Sequence, residues 1–169
     1  MISRNVKLGM VDTTFARVNM ARFAADEISR CFGMRVEIVR RTVPGIKDLA
    51  VECKRLLELE KCDVALALGM VGRKPIDMQC GHEASLGIQM AKMLTNRHIV
   101  EVFVHENESK NDAQLVEVCE NRARKHAVNA VLLVASPQEL SLRAGMGVRQ
   151  GFPDEGPVKI KKQKKGAKA

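Results

Sequence analysis

Apolar runs and helical spacings alternate along this chain. Val6 to Val11 is short, apolar and rich in β-formers, which predicts a strand. Val18, Ala21, Ala25, Ile28 and Phe32 then recur at intervals of 3 and 4, one face of a helix, and Gly33 stops it. Val36 to Val39 predicts a second strand, closed by Val43-Pro44-Gly45. Ile46, Leu49, Cys53 and Leu56 repeat the helical spacing until Glu60 ends the apolar face. Val64 to Leu68 is a continuous apolar run, as in a strand buried on both faces. A Gly-rich loop is expected from Gly69 to Asp77, before a helix carrying Cys80, Ala84, Gly87, Ala91 and Leu94. Ile99 to Val104 predicts a fourth strand. Leu115, Cys119, Arg122 and His126 predict a fourth helix, and Ala130 to Ala135 a fifth strand. Ser136-Pro137-Gln138-Glu139 places Ser at an N-cap, Pro at N1 and Glu at N3, the start of a last helix.

Strands alternating with helices argue for a parallel sheet covered on both faces. The expected architecture is α/β, a flavodoxin-like doubly wound parallel sheet of order 2-1-3-4-5 in three layers. Right-handed crossovers put every strand-to-helix loop on one rim, and the crevice opens between strands 1 and 3. The rim loops then hold Asp12 to Arg17, Val43 to Asp48, Gly69 to Asp77 and His105 to Asn107, many of the unusual polar residues of the chain. One domain is expected over residues 1–158, followed by a disordered Lys-rich tail, 159–169.

Charge changes this picture little. The chain carries +8, but the tail KIKKQKKGAKA holds six lysines and no acid, so the remainder carries only +2. A strongly basic nucleic-acid surface on the body is not expected. Five cysteines, at 31, 53, 62, 80 and 119, show no C-x-x-C spacing and resemble neither a disulfide framework nor a zinc site. Cys53 and Cys119 fall on apolar helical positions and read as small core residues. The N-terminus shows no signal-peptide pattern, and the longest apolar stretch, Val64 to Val71, is too short to span a membrane. A cytoplasmic location is expected. With no Trp or Tyr and five Phe, any flat ligand must lie on Phe, His or aliphatic surface.

At the rim loops the sequence resembles archaeal riboflavin synthases. The stretches that carry the resemblance are Val11-Asp12-Thr13-Thr14-Phe15-Ala16-Arg17, Arg41-Thr42-Val43-Pro44-Gly45-Ile46-Lys47-Asp48-Leu49, Ala67-Leu68-Gly69-Met70, His82-Glu83-Ala84-Ser85-Leu86-Gly87 and Glu101-Val102-Phe103-Val104-His105-Glu106. Arg149-Gln150-Gly151-Phe152 also fits, so the resemblance runs over roughly residues 5 to 157. That family resembles lumazine synthase, which shares the Val-Pro-Gly turn and approximately the Glu83-Ala84 stretch. Lumazine synthase has a catalytic His in the loop before this helix, and counting back from Glu83 puts Ile76 there.

The resemblance implies a dismutation of two molecules of 6,7-dimethyl-8-ribityllumazine to riboflavin and 5-amino-6-ribitylaminouracil. It implies no cofactor for the chemistry and leaves Mg²⁺ open. It also implies a homopentamer with sites between neighbours, to which Phe103, His105 and the fourth helix are candidate contributors. His82 and His105 are the proton-transfer candidates, since imidazole titrates near neutrality. His82 is expected at a helix start, where the dipole favours its neutral form; either residue could instead simply bond loop backbone. The substrate-binding candidates are Thr13, Thr14, Phe15, Pro44, Gly45, Asp48, Gly69, Met70, Glu83 and Glu106. Thr13 and Thr14 offer hydroxyls or cap the first helix. Phe15 stacks on a ring or packs in the core, and Asp48 accepts from ribityl hydroxyls or serves the second helix's N-terminus. Glu83 and Glu106 orient the histidines, hold a metal, or are solvated. Arg17, Lys47, Lys74 and Arg122 are the cations of interest.

Three other functions compete. A lumazine synthase would use the same scaffold on a phosphate-bearing substrate. A flavin-binding module would carry flavin without turnover. An RNA-associated scaffold would use the lysine tail and bind in a steeply salt-dependent way.

Overall fold

A computed structural model describes residues 2–159. The expectation for the tail falls outside the described residues except at Lys159. Four parallel strands, β1 (Val6–Thr13), β2 (Val36–Val43), β3 (Val64–Val71) and β4 (Ile99–His105), form one sheet of order β2-β1-β3-β4. β1 pairs with β2 over its whole length, from Val6 opposite Val36 to Thr13 opposite Val43, and pairs with β3 on its other side. The expected crevice position, between the first and third strands, is therefore present.

Helices α1 (Met20–Phe32) and α4 (Asp112–Ala135) lie on one face; α2 (Leu49–Glu58) and α3 (Pro75–Thr95) lie on the other. β3 shows why the layers differ. Its run alternates large and small residues: Leu66, Leu68 and Met70 enter the α1/α4 core, whereas Ala65, Ala67 and Val71 enter the α2/α3 core. Opposite strand faces receive alternate residues, so a run that looks uniformly apolar gives two cores of unequal bulk.

The expected fifth strand is not formed. Ala130 to Ala135 is the last part of α4, and the sheet has four strands. Nothing between His126 and Ala130 breaks a helix: there is no Gly, no Pro and no turn residue cluster. The buried positions Leu115, Cys119, Ala123, Ala127 and Val131 keep a spacing of 4 straight into the run, with Ala130 beside them on the same face. A short apolar run in isolation fits strand or helix equally; packing against α1 decides it.

The expected loop from Gly69 to Asp77 is also shorter in fact. Gly69 and Met70 lie within β3, and α3 begins at Pro75 with Lys74 as its N-cap residue. Pro at N1 and Asp77 at N3 mark that start. The Asp77 carboxylate accepts the Lys74 N–H at 3.0 Å. His82 is consequently the eighth residue of α3, beyond the first turn where the helix dipole acts. The last helix, α5 (Pro137–Leu142), starts where expected, though Ser136 makes no side-chain cap bond. α1 is capped by Asn19, whose side chain accepts the Arg22 N–H, and not by Thr13 or Thr14. No helix among the described residues is long and apolar enough to cross a membrane.

Candidate active site

The C-terminal ends of β1, β2 and β3 and the first turns of α3 enclose a cavity of about 430 Å³. Phe15, Pro44, Gly45, Asp48 and Met70 line it, together with Ile46, Lys47, Val71, Gly72, Asp77 and Cys80. Five of the expected substrate-binding residues thus converge from three separate loops. The lining is mostly apolar with a few polar groups, the usual make-up of a small-molecule site. A cavity of about 480 Å³ bordered by Ile2, Phe32 and Leu132 lies at the opposite, N-terminal end of the strands, away from these loops.

Phe15 follows β1 and is 54% exposed. It is not a core residue; its ring stands at the cavity mouth. Asp48 precedes α2 but makes no side-chain cap bond, and among the described residues its carboxylate has no hydrogen-bond or ion-pair partner. Thr13 is buried and its Oγ1 has no partner among the described residues. Two positions on from Val11, it shares the strand face that looks toward α2 and α3. A buried hydroxyl without a partner costs roughly 1–3 kcal/mol. Thr14 is committed to the loop itself: its Oγ1 donates to the Pro44 carbonyl at 3.2 Å.

Gly69 has a packing role rather than a loop role. A Cβ there would stand 2.6 Å from the Phe103 ring and 3.0 Å from Ile46. Phe103 is 8% exposed and spends its ring on this contact. Phe103 is buried within its own chain, as are Leu115 and Cys119 on α4.

The two histidines are separated. His82 is exposed on α3 and does not line the cavity. His105 ends β4, half-buried; its Nδ1 lies 3.2 Å from the Met78 sulfur, and its Cε1 is beside Gly81. Neither His105 nor Met78 is among the residues lining the cavity; Cys80, next to Gly81 in the chain, is. Its backbone N–H donates to Glu108 at 2.8 Å.

The cations are mostly neutralised. Lys47 is paired with Glu83, and this hydrogen bond raises the lysine and lowers the carboxyl. Glu83 also accepts from Gln79 at 3.0 Å. Arg17 holds Asp112 at 2.8 Å and Glu106 at 3.5 Å, and Arg73 approaches Glu106 at 3.6 Å. Arg122 forks onto Glu108. Lys74 is exposed and has no ion pair among the described residues. Glu83 and Glu106 thus face cations rather than the histidines. Among the described residues no group of three or more His, Cys, Asp or Glu is arranged to hold a metal. Asp77, Cys80 and Ile46 were not expected in the site. Asp77 was legible as an acid two residues after a helix-starting Pro; Cys80 and Ile46 had no local signal.

Comparison with known proteins decides the family. A family model described as 6,7-dimethyl-8-ribityllumazine synthase matches residues 5–138. The chain belongs to the 6,7-dimethyl-8-ribityllumazine synthase family. Within it, the chain is 48% identical to the riboflavin synthase of Methanothermobacter thermautotrophicus over 153 residues, 90% of this chain and 99% of that relative. The riboflavin synthase of Archaeoglobus fulgidus is 43% identical over 153 residues, again 90% and 99% of the two chains. That of Aeropyrum pernix is 45% identical over 154 residues, 90% and 97%. The matched segment contains the whole cavity and His105.

Proposed function

We propose that the chain is a riboflavin synthase that joins two molecules of 6,7-dimethyl-8-ribityllumazine and releases riboflavin and 5-amino-6-ribitylaminouracil. The observation that carries this choice over lumazine synthesis is the pairing of the rim cations. Arg17, Lys47 and Arg122 each already hold a carboxylate. A phosphate-bearing substrate would need an unpaired cation at the cavity; Lys74, which has no ion pair among the described residues, is not among the residues that line it. The relatives named riboflavin synthase support the same choice.

In this reading Asp48 meets a polar edge of the substrate and Phe15 covers one ring face; Thr13, buried at the end of β1, is not among the residues lining the cavity. Pro44, Gly45 and Met70 shape the wall. His105 is the proton-transfer group of choice; His82, on the outer face of α3, reaches a site only where a second chain covers it. The two substrates together contain every atom of the two products, so no oxidant, reductant or cofactor is required for balance. One lumazine loses a proton from its 7-methyl group and attacks the other; the four-carbon unit changes molecules. Orienting the two rings contributes up to roughly 7–11 kcal/mol.

One cavity of this size suits one ribityllumazine better than two. The reading therefore includes assembly, with a second chain supplying the other wall in a homopentamer. α3 supports it: Ile76, Leu86, Met90, Met93 and Leu94 are all more than half exposed along one helix, an apolar stripe that a water-facing helix does not keep. Closed cyclic symmetry would cover it in every copy.

The test is incubation of exhaustively dialysed protein with ribityllumazine alone. Riboflavin and the pyrimidine should form in equal amounts. Turnover only with a phosphorylated four-carbon co-substrate would establish lumazine synthesis instead, and activity restored only by NAD or FMN would overturn the cofactor-free reading. Flavin copurifying at one per chain without turnover would indicate a carrier. Light scattering under assay conditions tests the pentamer, which a fully active monomer would refute.

A further inference from the structure

As a proton-transfer group His105 needs its ring held in place at the end of β4, and its own contacts are weak: a sulfur at 3.2 Å and the edge of Gly81. Its backbone is held far more firmly, and from α4. The Arg122 side chain is 12% exposed and makes three charge-assisted bonds. Nη1 donates to the Phe103 carbonyl at 2.6 Å and to Glu108 Oε1 at 2.9 Å, and Nη2 donates to Glu108 Oε2 at 2.6 Å. The same Oε1 accepts the His105 N–H at 2.8 Å. One guanidinium thus ties down the carbonyl two residues before His105 directly and the His105 amide through a carboxylate. Burial raises the Glu108 carboxyl, but the bonds from Arg122 and the His105 amide prevail and hold it below its usual range, so it stays an acceptor at neutral pH.

The arrangement is closed from outside by a segment that lies past the last helix. Gly151 adopts φ +87°, and any Cβ there would fall 2.7 Å from the Arg122 guanidinium. Its N–H donates to Asn121 Oδ1 at 2.8 Å. The Phe152 ring lies 5.8 Å from Arg122 Cζ, within cation–π range. Lys125 pins the same segment through the Arg149 carbonyl at 2.7 Å and Asp154 at 2.8 Å. Stacking and exclusion of water favour a planar, forked cation at this spot over a lysine.

We propose that Arg122 is a positioning residue for His105, acting through Glu108 and the Phe103 carbonyl, with Gly151-Phe152 as its cover. This rests on the reading of His105 as the proton-transfer group. Arg122 does not touch substrate. It fixes the end of β4, so its loss lowers turnover more than binding, which depends on Asp48 and Phe15 on other loops.

The experiment compares Arg122→Lys, Glu108→Gln and Phe152→Ala in the full chain. Arg122→Lys keeps the charge but loses the fork; kcat should fall ten- to a hundredfold with KM within about threefold. Glu108→Gln keeps one acceptor oxygen and should fall less, and Phe152→Ala two- to fivefold. Hydrogen exchange of the His105 amide, read by NMR or mass spectrometry independently of turnover, should accelerate at least tenfold in Arg122→Lys. In Arg122→Ala, added guanidinium at millimolar concentration should restore part of kcat, and methylammonium should not. Unchanged His105 exchange and wild-type kcat in Arg122→Lys would overturn the proposal. Should that variant fail to fold, wild-type kcat and exchange in both Glu108→Gln and Phe152→Ala would overturn it equally. Full activity of His105→Gln, with fast His105-amide exchange still seen in Arg122→Lys, would instead discard the catalytic reading of His105 and leave the clamp as a structural fact.

Discussion

The two helical layers that sandwich the sheet are built to different ends. The α1/α4 layer meets the large side of β3, and its helices bury alanines, valines and leucines against Leu66, Leu68 and Met70; its own cavity, bordered by Phe32 and Leu132, lies at the far, N-terminal end of the strands. The α2/α3 layer meets the small side, Ala65, Ala67 and Gly69. It keeps a cavity at one end and an apolar stripe in water along α3. One layer holds the chain folded; the other leaves space for a ligand and surface for a neighbour. Substitutions at buried positions should therefore act on stability in either layer, whereas those on the exposed α3 stripe should act on assembly.

The sharpest break of that comparison is Ala130→Asp. Ala130 is fully buried in α4, and an unpaired charge there should cost about 4 kcal/mol or more. Chemical denaturation should show the chain largely unfolded in water; a well-folded variant would mean the layer is looser than described.

Acid comes next, and it acts on the same layer. Burial, and then the Arg122 charge, push His126 on α4 down to about 4 from 6.5. The folded state therefore refuses a proton that the unfolded chain accepts. Stability is complete above about pH 6.5 and is lost as pH falls toward 4, by about 2–3 kcal/mol. The carboxyls of Glu27, lowered chiefly by its bond from Arg30, and of Glu108 add losses of the same sign at still lower pH. Denaturation midpoints from pH 7 to 4.5 should fall for the native sequence and stay nearly level for His126→Leu.

Gly69→Ala tests the other layer. The added methyl collides with the Phe103 ring, and overpacking of this kind costs about 1–3 kcal/mol. Pairing it with Phe103→Leu should recover most of the loss, measured as a double-mutant cycle. Smallest in stability is Leu86→Lys with Met90→Lys on the α3 stripe. Chain stability, measured on the dissociated protein, should move by about 0.5 kcal/mol or less, while sedimentation should show the assembly gone. A stable monomer-to-assembly ratio unchanged by both lysines would remove α3 from the interface.

Legibility in the sequence was uneven for physical reasons. α1, α2 and α4 could be placed because each buries one face, which imposes a period of about 3.6, and the strands because short apolar runs between helical stretches mark a sheet buried on both faces. The run Ala130 to Ala135 was misassigned as a strand because six apolar residues satisfy both periods. The glycine-rich run reads as a loop through Asp77, although Pro75 and Asp77 mark the start of α3. That error carried a false dipole argument to His82. Among the site residues, Phe15, Pro44, Gly45, Asp48 and Met70 do line one cavity. Gly69 was misplaced in a loop because a glycine required by the Phe103 ring 34 positions away looks the same in sequence as one required by a turn.

The sequence by itself determined the layered α/β architecture, the rim on which the loops gather, and a family resemblance that comparison with known proteins upheld. These follow from local periodicity and from motifs that are contiguous in the chain. The tertiary structure decided which polar groups remain uncommitted. Asp48 and Thr13 have no partner among the described residues, while Arg17 is neutralised by Glu106 and Asp112, Lys47 by Glu83 and Arg122 by Glu108. Whether a charge is available to a substrate depends on which opposite charge lies within about 4 Å, and that distance is set by folding between residues far apart in sequence, as between Arg17 and Asp112, 95 positions away.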